Sequence, residues 1–418
     1  MMKLKAFTGI GILLLFLQSD CVAQGADLTV KFSVKKYPFV HPERNEIVNA
    51  QVLNPFLEQL KILKQGDSNR VSVLQIGDSH IQADYVSAKA RTDFQNDFGN
   101  AGRGLVVPLK VAGTNEPFNY KITSNVVCTS KRCVFVNNPM PIGIGGVTIQ
   151  SFTDSTYFNI RAFDYAPLNY SFNKISLFYQ KDSSAYNFNV TDTSGNMLGF
   201  MSNNSTSVYP FLSTTLLTQN TNYIVLKAEK TDTFQNNATI YGLSLENDSN
   251  GVIYHSVGVN GAEAFQYARA QYFAEQTQAL HPQLIIISLG TNEAQRSPFD
   301  IELNRARLDS LVQQLQQYNP NVPILLTTPP DSYIRKKYYN PNVSKMHEVI
   351  VEYAQEHNLA AWDLFSIAGG YKSCVYWRKY GLMRADGVHF TRTGYEFQGN
   401  LMYEAIIKAY NQYVSAKH

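Results

Sequence analysis

Val71-Ser72-Val73-Leu74-Gln75-Ile76 runs straight into Gly77-Asp78-Ser79-His80. A short, mostly apolar run with little alternation reads as a strand buried on both faces, the habit of parallel sheets. Gly77 gives the chain freedom to turn sharply at the strand end. A helical pattern follows in Tyr85, Ala88, Ala90, Phe94 and Phe98. Ser79 therefore lies on a strand-to-helix turn, outside the carboxyl end of a strand, where open α/β sheets bind ligands. Backbone N–H groups at the helix start face incoming negative charge there. The same alternation returns late in the chain. Apolar runs at 251–257, 284–289, 323–328 and 360–364 are separated by helical patterns at 264–280, 300–318 and 343–357, with a closing helix at the end. A further helical pattern spans 45–63. Such alternation predicts an α/β protein in three layers, α/β/α, with a parallel sheet and right-handed crossovers.

A serine in a turn is by itself ordinary capping chemistry. The far end of the chain changes its meaning. Asp386 and His389 stand three residues apart in Arg384-Ala385-Asp386-Gly387-Val388-His389. That spacing lets the carboxylate accept from the imidazole Nδ1–H, leaving Nε2 to take a proton from a serine. Two Gly-containing turns after apolar runs, Val259-Asn260-Gly261-Ala262 and Leu289-Gly290-Thr291-Asn292-Glu293, offer a backbone N–H and a side-chain amide. With the Ser79 N–H, Gly261 and Asn292 are candidates for an oxyanion hole. Gly258 competes with Gly261 for the glycine donor. Asp78 reads as a structural acceptor for the turn, and His80 either lines the pocket or is a satisfied structural histidine. Glu293 is given no catalytic role.

These four blocks, in this order, resemble the SGNH (GDSL-type) hydrolase family. The chain departs from the family's name motif at His80, where that motif has Leu. The resemblance implies a flavodoxin-like sheet and a serine esterase that needs no cofactor and no metal. Ser79 would be the nucleophile, His389 the base and Asp386 its partner; Ser79, Gly261 and Asn292 would hold the oxyanion. The Gly-rich connection Phe98-Gly99-Asn100-Ala101-Gly102-Arg103-Gly104-Leu105 is similar to the segment after the nucleophile helix in bacterial peptidoglycan and polysaccharide O-acetylesterases of the family. A phosphate cradle is disfavoured, because the G-x-x-x-x-G-K pattern is absent.

Between 147 and 250 helical periodicity disappears. Short β-type runs alternate with Asn, Asp, Ser and Gly turns, which predicts a β-sandwich inserted into the α/β domain. The expected organisation is a first hydrolase part at 24–146, the insert at 147–250 and a second hydrolase part at 251–418. Some O-acetylesterases of the resembled family carry a carbohydrate-binding-like β-sandwich at this place. The 26 Tyr and 24 Phe fit aromatic-rich β structure or sugar-facing surfaces. Every candidate catalytic group lies outside the insert, so its replacement by a short linker is expected to spare activity on a small ester and to cost activity on a polymer.

Residues 1–23 read as a secretory signal peptide: Lys3 and Lys5, then the apolar run 10–17, then small residues around Cys21-Val22-Ala23. Acylation of Cys21 is the alternative, and Gln18-Ser19-Asp20 fits it poorly. The apolar run is too short to span a membrane. At a net charge of +3 no broad polyanion-binding surface is implied, and no nucleic-acid partner is expected. Of the 4 Cys, Cys128 and Cys133 bracket a short polar stretch where an oxidising compartment allows a disulfide. Cys374 reads as structural. The tract after Pro330, rich in Tyr, Arg and Lys, is either a glycan contact or a solvated loop. Together these features predict a secreted or periplasmic enzyme that removes O-acetyl groups from a glycan, first of all peptidoglycan. An O-acetyltransferase with the same triad and a non-catalytic glycan-binding protein are the alternatives.

Overall fold

The computed structural model describes residues 28, 36–67, 70–135 and 140–417; the expected export signal lies outside them. The central sheet has six strands in the order Ile47–Val48, Ala360–Trp362, Ile324–Thr327, Leu284–Ser288, Arg70–Gly77 and Gly251–Gly258. All pairings are parallel except that of the edge strand Ile47–Val48. Taken in chain order, the five parallel strands lie 2-1-3-4-5, the flavodoxin-like order. The strand order reverses between Arg70–Gly77 and Leu284–Ser288. Loops leaving those two strands diverge and open a crevice, and they carry Ser79 and Asn292.

Alternate residues of the central strands feed two cores. Val71, Val73, Leu284, Ile286 and Leu325 pack with helices Asn54–Lys64, Tyr85–Phe98 and Arg392–Ser415. Leu74, Ile76, Ile285, Ile287 and Leu326 pack with Ile301–Tyr318 and Pro341–Glu356 on the opposite face. Helices on both faces explain why these strands are apolar throughout. The expected helix over 45–63 is shorter than its pattern. Asn49 adopts a left-handed φ of 57°, a 3-10 turn covers Ala50–Leu53, and the helix proper is Asn54–Lys64. Pro55 sits in its first turn, where a missing N–H costs nothing.

Two antiparallel sheets form the second unit. One orders Met197–Met201, Asn187–Thr191, Tyr223–Glu229, Tyr157–Ala162 and Tyr120–Ser124. The other orders Leu212–Thr221, Phe172–Tyr179, Ala238–Glu246, Val147–Ser151 and Thr129–Arg132, and Gly102–Val106 also pairs with Ala238–Glu246. Antiparallel pairing thus begins at Gly102, upstream of the boundary expected at Val147. The sandwich core is continuous with one core of the α/β unit, since Ile144 and Tyr241 share a cluster with Tyr267 and Phe273.

Thr129–Arg132, expected as a polar loop, is an edge strand paired with Val147–Ser151. Its charge is the usual protection of an exposed edge. Cys128 and Cys133 stand at its two ends as free thiols. Five extended steps separate their Cα atoms by roughly 16 Å, well beyond the ~7 Å limit for a disulfide.

The Gly-rich connection ends in a buried ion cluster. Asp84 receives Arg91 at 3.0 Å and Arg103 at 2.7 Å, all three side chains being at most 1% exposed. Asn119 and Ser256 complete the shell of Asp84 at 2.6 and 2.8 Å. Burial opposes the Asp84 charge, but the two guanidinium groups outweigh it and hold the carboxyl below its ordinary value. Removing one partner would leave buried charge uncompensated, at a cost of about 3–5 kcal/mol. The cluster ties the start of the helix Tyr85–Phe98 to the strand Gly102–Val106.

Candidate active site

Gly77 ends its strand against the next turn. A Cβ there would lie 2.3 Å from Ile81 Cγ1 and 2.9 Å from Ser288 O, so only glycine lets the chain double back. Asp78 caps the short helix Ser79–Gln82 by accepting from His80 N at 2.9 Å. Ser79 is the first helical residue and its hydroxyl stands at the rim of a cleft of about 920 Å³.

His389 Nε2 lies 2.9 Å from Ser79 Oγ, and His389 Nδ1 lies 3.1 Å from Asp386 Oδ2. Asp386 Oδ1 accepts from Val388 N at 2.9 Å and His389 N at 2.8 Å. Partial burial tends to raise the Asp386 carboxyl, but these N–H donors and the imidazole prevail and hold it below its ordinary value. It stays a carboxylate wherever the imidazole needs one. Ser79, Asp386 and His389, 310 residues apart at the extremes, are brought into one hydrogen-bonded chain.

Gly261 and Asn292 line the same cleft, and Gly258 is absent from its described walls. Gly258 instead packs on the helix Ser79–Gln82, where a Cβ would meet Gln82 N at 2.1 Å. Gly261 takes a φ of +82° with open space beside it. Its turn is fastened to the helix Ser79–Gln82 through Gln82, whose Oε1 accepts from Asn260 N at 2.6 Å. The Asn292 amide donates to Ala262 O at 2.9 Å and to Asp78 Oδ2 at 3.2 Å. Sharing with an oxyanion would therefore draw on the longer of those bonds.

Buried carboxyls frame the two turns. Burial pushes Asp78 up to about 7 and Glu293 up to about 8. Glu293 Oε1 accepts from Ala264 N at 2.9 Å and its Oε2 from Gly290 N at 3.0 Å, so this side chain joins the Gly261 and Asn292 turns. The tract after Pro330 also acts inside the protein. Tyr333 N donates to Gly387 O at 2.8 Å, and a Cβ on Gly387 would strike the Tyr333 ring at 2.6 Å. Tyr333 thus buttresses the loop that carries Asp386 and His389.

His80 is buried and stacks on His389, with ring centroids 5.4 Å apart. Its Nδ1 meets the Tyr395 hydroxyl at 3.1 Å. Burial, then the neighbouring His389, pushes its pKa down to about 3 from an ordinary 6.5. The folded state therefore keeps His80 neutral while the unfolded chain protonates near 6.5, and stability contributed by this residue is lost as pH falls from 6.5 toward 3. A His80→Leu protein should escape that loss. Its unfolding free energy relative to wild type should improve by about 2 kcal/mol between pH 8 and pH 5, measured by urea denaturation at both values. A pH-independent difference would show that His80 titrates normally.

Residues 231–397 match the sequence model of the GDSL-like Lipase/Acylhydrolase family. Over that stretch, which begins after Ser79, the chain is similar to this family of acylhydrolases. A solved structure of a peptidoglycan O-acetylesterase is similar with a TM-score of 0.71 and 21% identity, over 86% of this chain and 96% of that one. An acetyl xylan esterase structure matches with a TM-score of 0.30 and 19% identity, over 37% of this chain and 81% of that one. A family 3 carbohydrate esterase from Talaromyces cellulolyticus matches with a TM-score of 0.31 and 17% identity, over 40% and 76%. No curated protein matches the chain. Among the described residues, no helix is long and apolar enough to cross a membrane.

Proposed function

We propose that the protein is an exported serine esterase that removes acetyl groups from glycan hydroxyls, with peptidoglycan as its first substrate. The observation that carries this reading is the Ser79–His389–Asp386 chain, at 2.9 and 3.1 Å, opening into a wide cleft. Ser79 Oγ attacks the acetyl carbonyl carbon while His389 Nε2 takes its proton. The oxyanion is held by Ser79 N–H, Gly261 N–H and the Asn292 amide, each donor contributing about 2.7–4 kcal/mol in comparable sites. The ester C–O bond breaks, His389 returns the proton to the departing sugar oxygen, and acetyl-Ser79 remains. Water then attacks with His389 as base, releasing acetate and restoring the serine hydroxyl.

Support for a glycan comes from the two-unit architecture. The similar peptidoglycan O-acetylesterase is covered over 96% of its length by 86% of this chain, a span too long for the α/β unit alone. The sandwich is assigned to substrate engagement. It is not a passive appendage, because Tyr165 of the sandwich bonds Glu396 of the C-terminal helix at 2.9 Å. Replacing 147–250 by a linker would also strip partners from Tyr120–Ser124 and Thr129–Arg132. The surgical experiment must therefore be point substitution, not excision. A periplasmic or extracellular location follows from the substrate and from the export signal read over residues 1–23.

The test is acetate release from O-acetylated peptidoglycan by the purified protein, with 4-nitrophenyl acetate as a small control. Release from both is expected. Transfer of acetyl to an added oligosaccharide in place of release would identify a transferase, and inertness toward every ester would overturn the reading.

A further inference from the structure

Three aromatic rings from separate parts of the chain converge on one cation at the cleft. The Arg392 guanidinium carbon lies 5.6 Å from the Tyr85 ring centroid, 5.1 Å from Phe118 and 5.8 Å from Tyr165. Tyr85 opens the helix Tyr85–Phe98, Phe118 lies just before the strand Tyr120–Ser124, and Tyr165 lies between two further strands of the sandwich. Tyr85 and Phe118 stack at 4.8 Å, and Phe118 meets Tyr165 edge-on at 5.2 Å. Glu396 accepts from Arg392 Nε at 2.7 Å. Arg392 is the first residue of the helix Arg392–Ser415, three positions after His389. Despite this cage its side chain is 54% exposed, and it lines the same cleft as Ser79 and His389.

We propose that Arg392 is a subsite for a carboxylate on the substrate, adjacent to the acetylated sugar. The assignment rests on the esterase reading above and names the glycan class as acidic. An arginine on a surface ordinarily loses much rotamer freedom on engaging a ligand. Here the rings, Glu396 and the Tyr165 hydroxyl have already fixed its plane: Nε donates to the carboxylate and a second bond goes to Tyr165, which leaves the remaining N–H groups of the five for a ligand. The outer edge of the fork is shaped for bidentate recognition of a carboxylate. Arg384 adds a second cation to the cleft wall from the other end of the loop that carries Asp386 and His389, where its backbone N–H donates to His389 O at 2.8 Å. A cation needed only to clasp the sandwich to the helix would be covered by its partners; this one is half exposed in the wall of the cleft that holds Ser79.

The experiment compares acetate release from O-acetylated peptidoglycan whose carboxyl groups are free with release from the same material after its carboxyls are converted to neutral amides. Wild-type kcat/KM should fall about 10-fold on amidation, mainly through KM, a typical loss for one bidentate contact. The Arg392→Met protein should make no distinction between the two materials, and Arg392→Lys should keep part of it, since the charge survives and the fork does not. Calorimetric binding of both materials, after deacetylation, to Ser79→Ala protein reads the same preference without turnover. Equal wild-type rates on the two substrates, or an undiminished preference in Arg392→Met, would overturn the subsite and leave the esterase reading standing. Failure of wild type on both substrates and on 4-nitrophenyl acetate would instead sink the esterase reading.

Discussion

Ser79→Ala protein should turn over acetyl esters about a million-fold more slowly than wild type, the scale seen when a triad serine is removed. No other hydroxyl is described within hydrogen-bond reach of His389 Nε2, so no neighbour can substitute as nucleophile. The fold should be untouched. The hydroxyl of Ser79 makes one described bond, to His389, and the turn is held instead by Asp78 and by the close approach of Gly77 to Ser288 O. Steady-state kinetics with 4-nitrophenyl acetate, alongside a thermal melt within about 2 °C of wild type, checks both halves. Near-normal turnover would remove Ser79 from the chemistry.

Asp386→Asn should cost about four orders of magnitude in kcat, for a reason specific to this loop. Asp386 Oδ1 accepts from two backbone N–H groups, those of Val388 and His389. An asparagine must turn its oxygen to those donors, which leaves its NH2 facing His389 Nδ1. The imidazole then has to accept at Nδ1 and carry its proton on Nε2, the tautomer that cannot receive a proton from Ser79. The backbone bonds survive, so stability should change little. A loss of less than 10-fold would mean that His389 does not depend on Asp386 for its tautomer. The two substitutions should also be far from additive, because they disable one proton path.

Much of this site was legible because its parts sit where sequence patterns are strongest. The run 71–77 and the run 284–289 announce buried strands, and a parallel sheet puts the loops after both on one edge. Asp386 and His389 are local to each other, so spacing alone relates them. What escaped is long-range. Tyr333 supports the catalytic loop from a tract that resembles any polar loop. Gln82 secures the Gly261 turn across 178 positions. The cage around Arg392 draws on Tyr85, Phe118 and Tyr165, which no periodicity connects. The sandwich boundary escaped for a different reason. Tyr120–Ser124 and Thr129–Arg132 are short edge strands with Lys, Arg, Ser and Thr on them, and edge protection erases the hydrophobic signal by which strands are recognised. The same edge strand keeps Cys128 from Cys133.

The central claim is that Ser79 is a nucleophile activated by His389. It is tested most directly by incubating the full chain with a fluorophosphonate and reading the intact mass. The account predicts a single adduct per chain, located by peptide mapping on Ser79, absent in Ser79→Ala and formed far more slowly in His389→Ala. An adduct on a different residue, or labelling of Ser79 at an unchanged rate without His389, would contradict it.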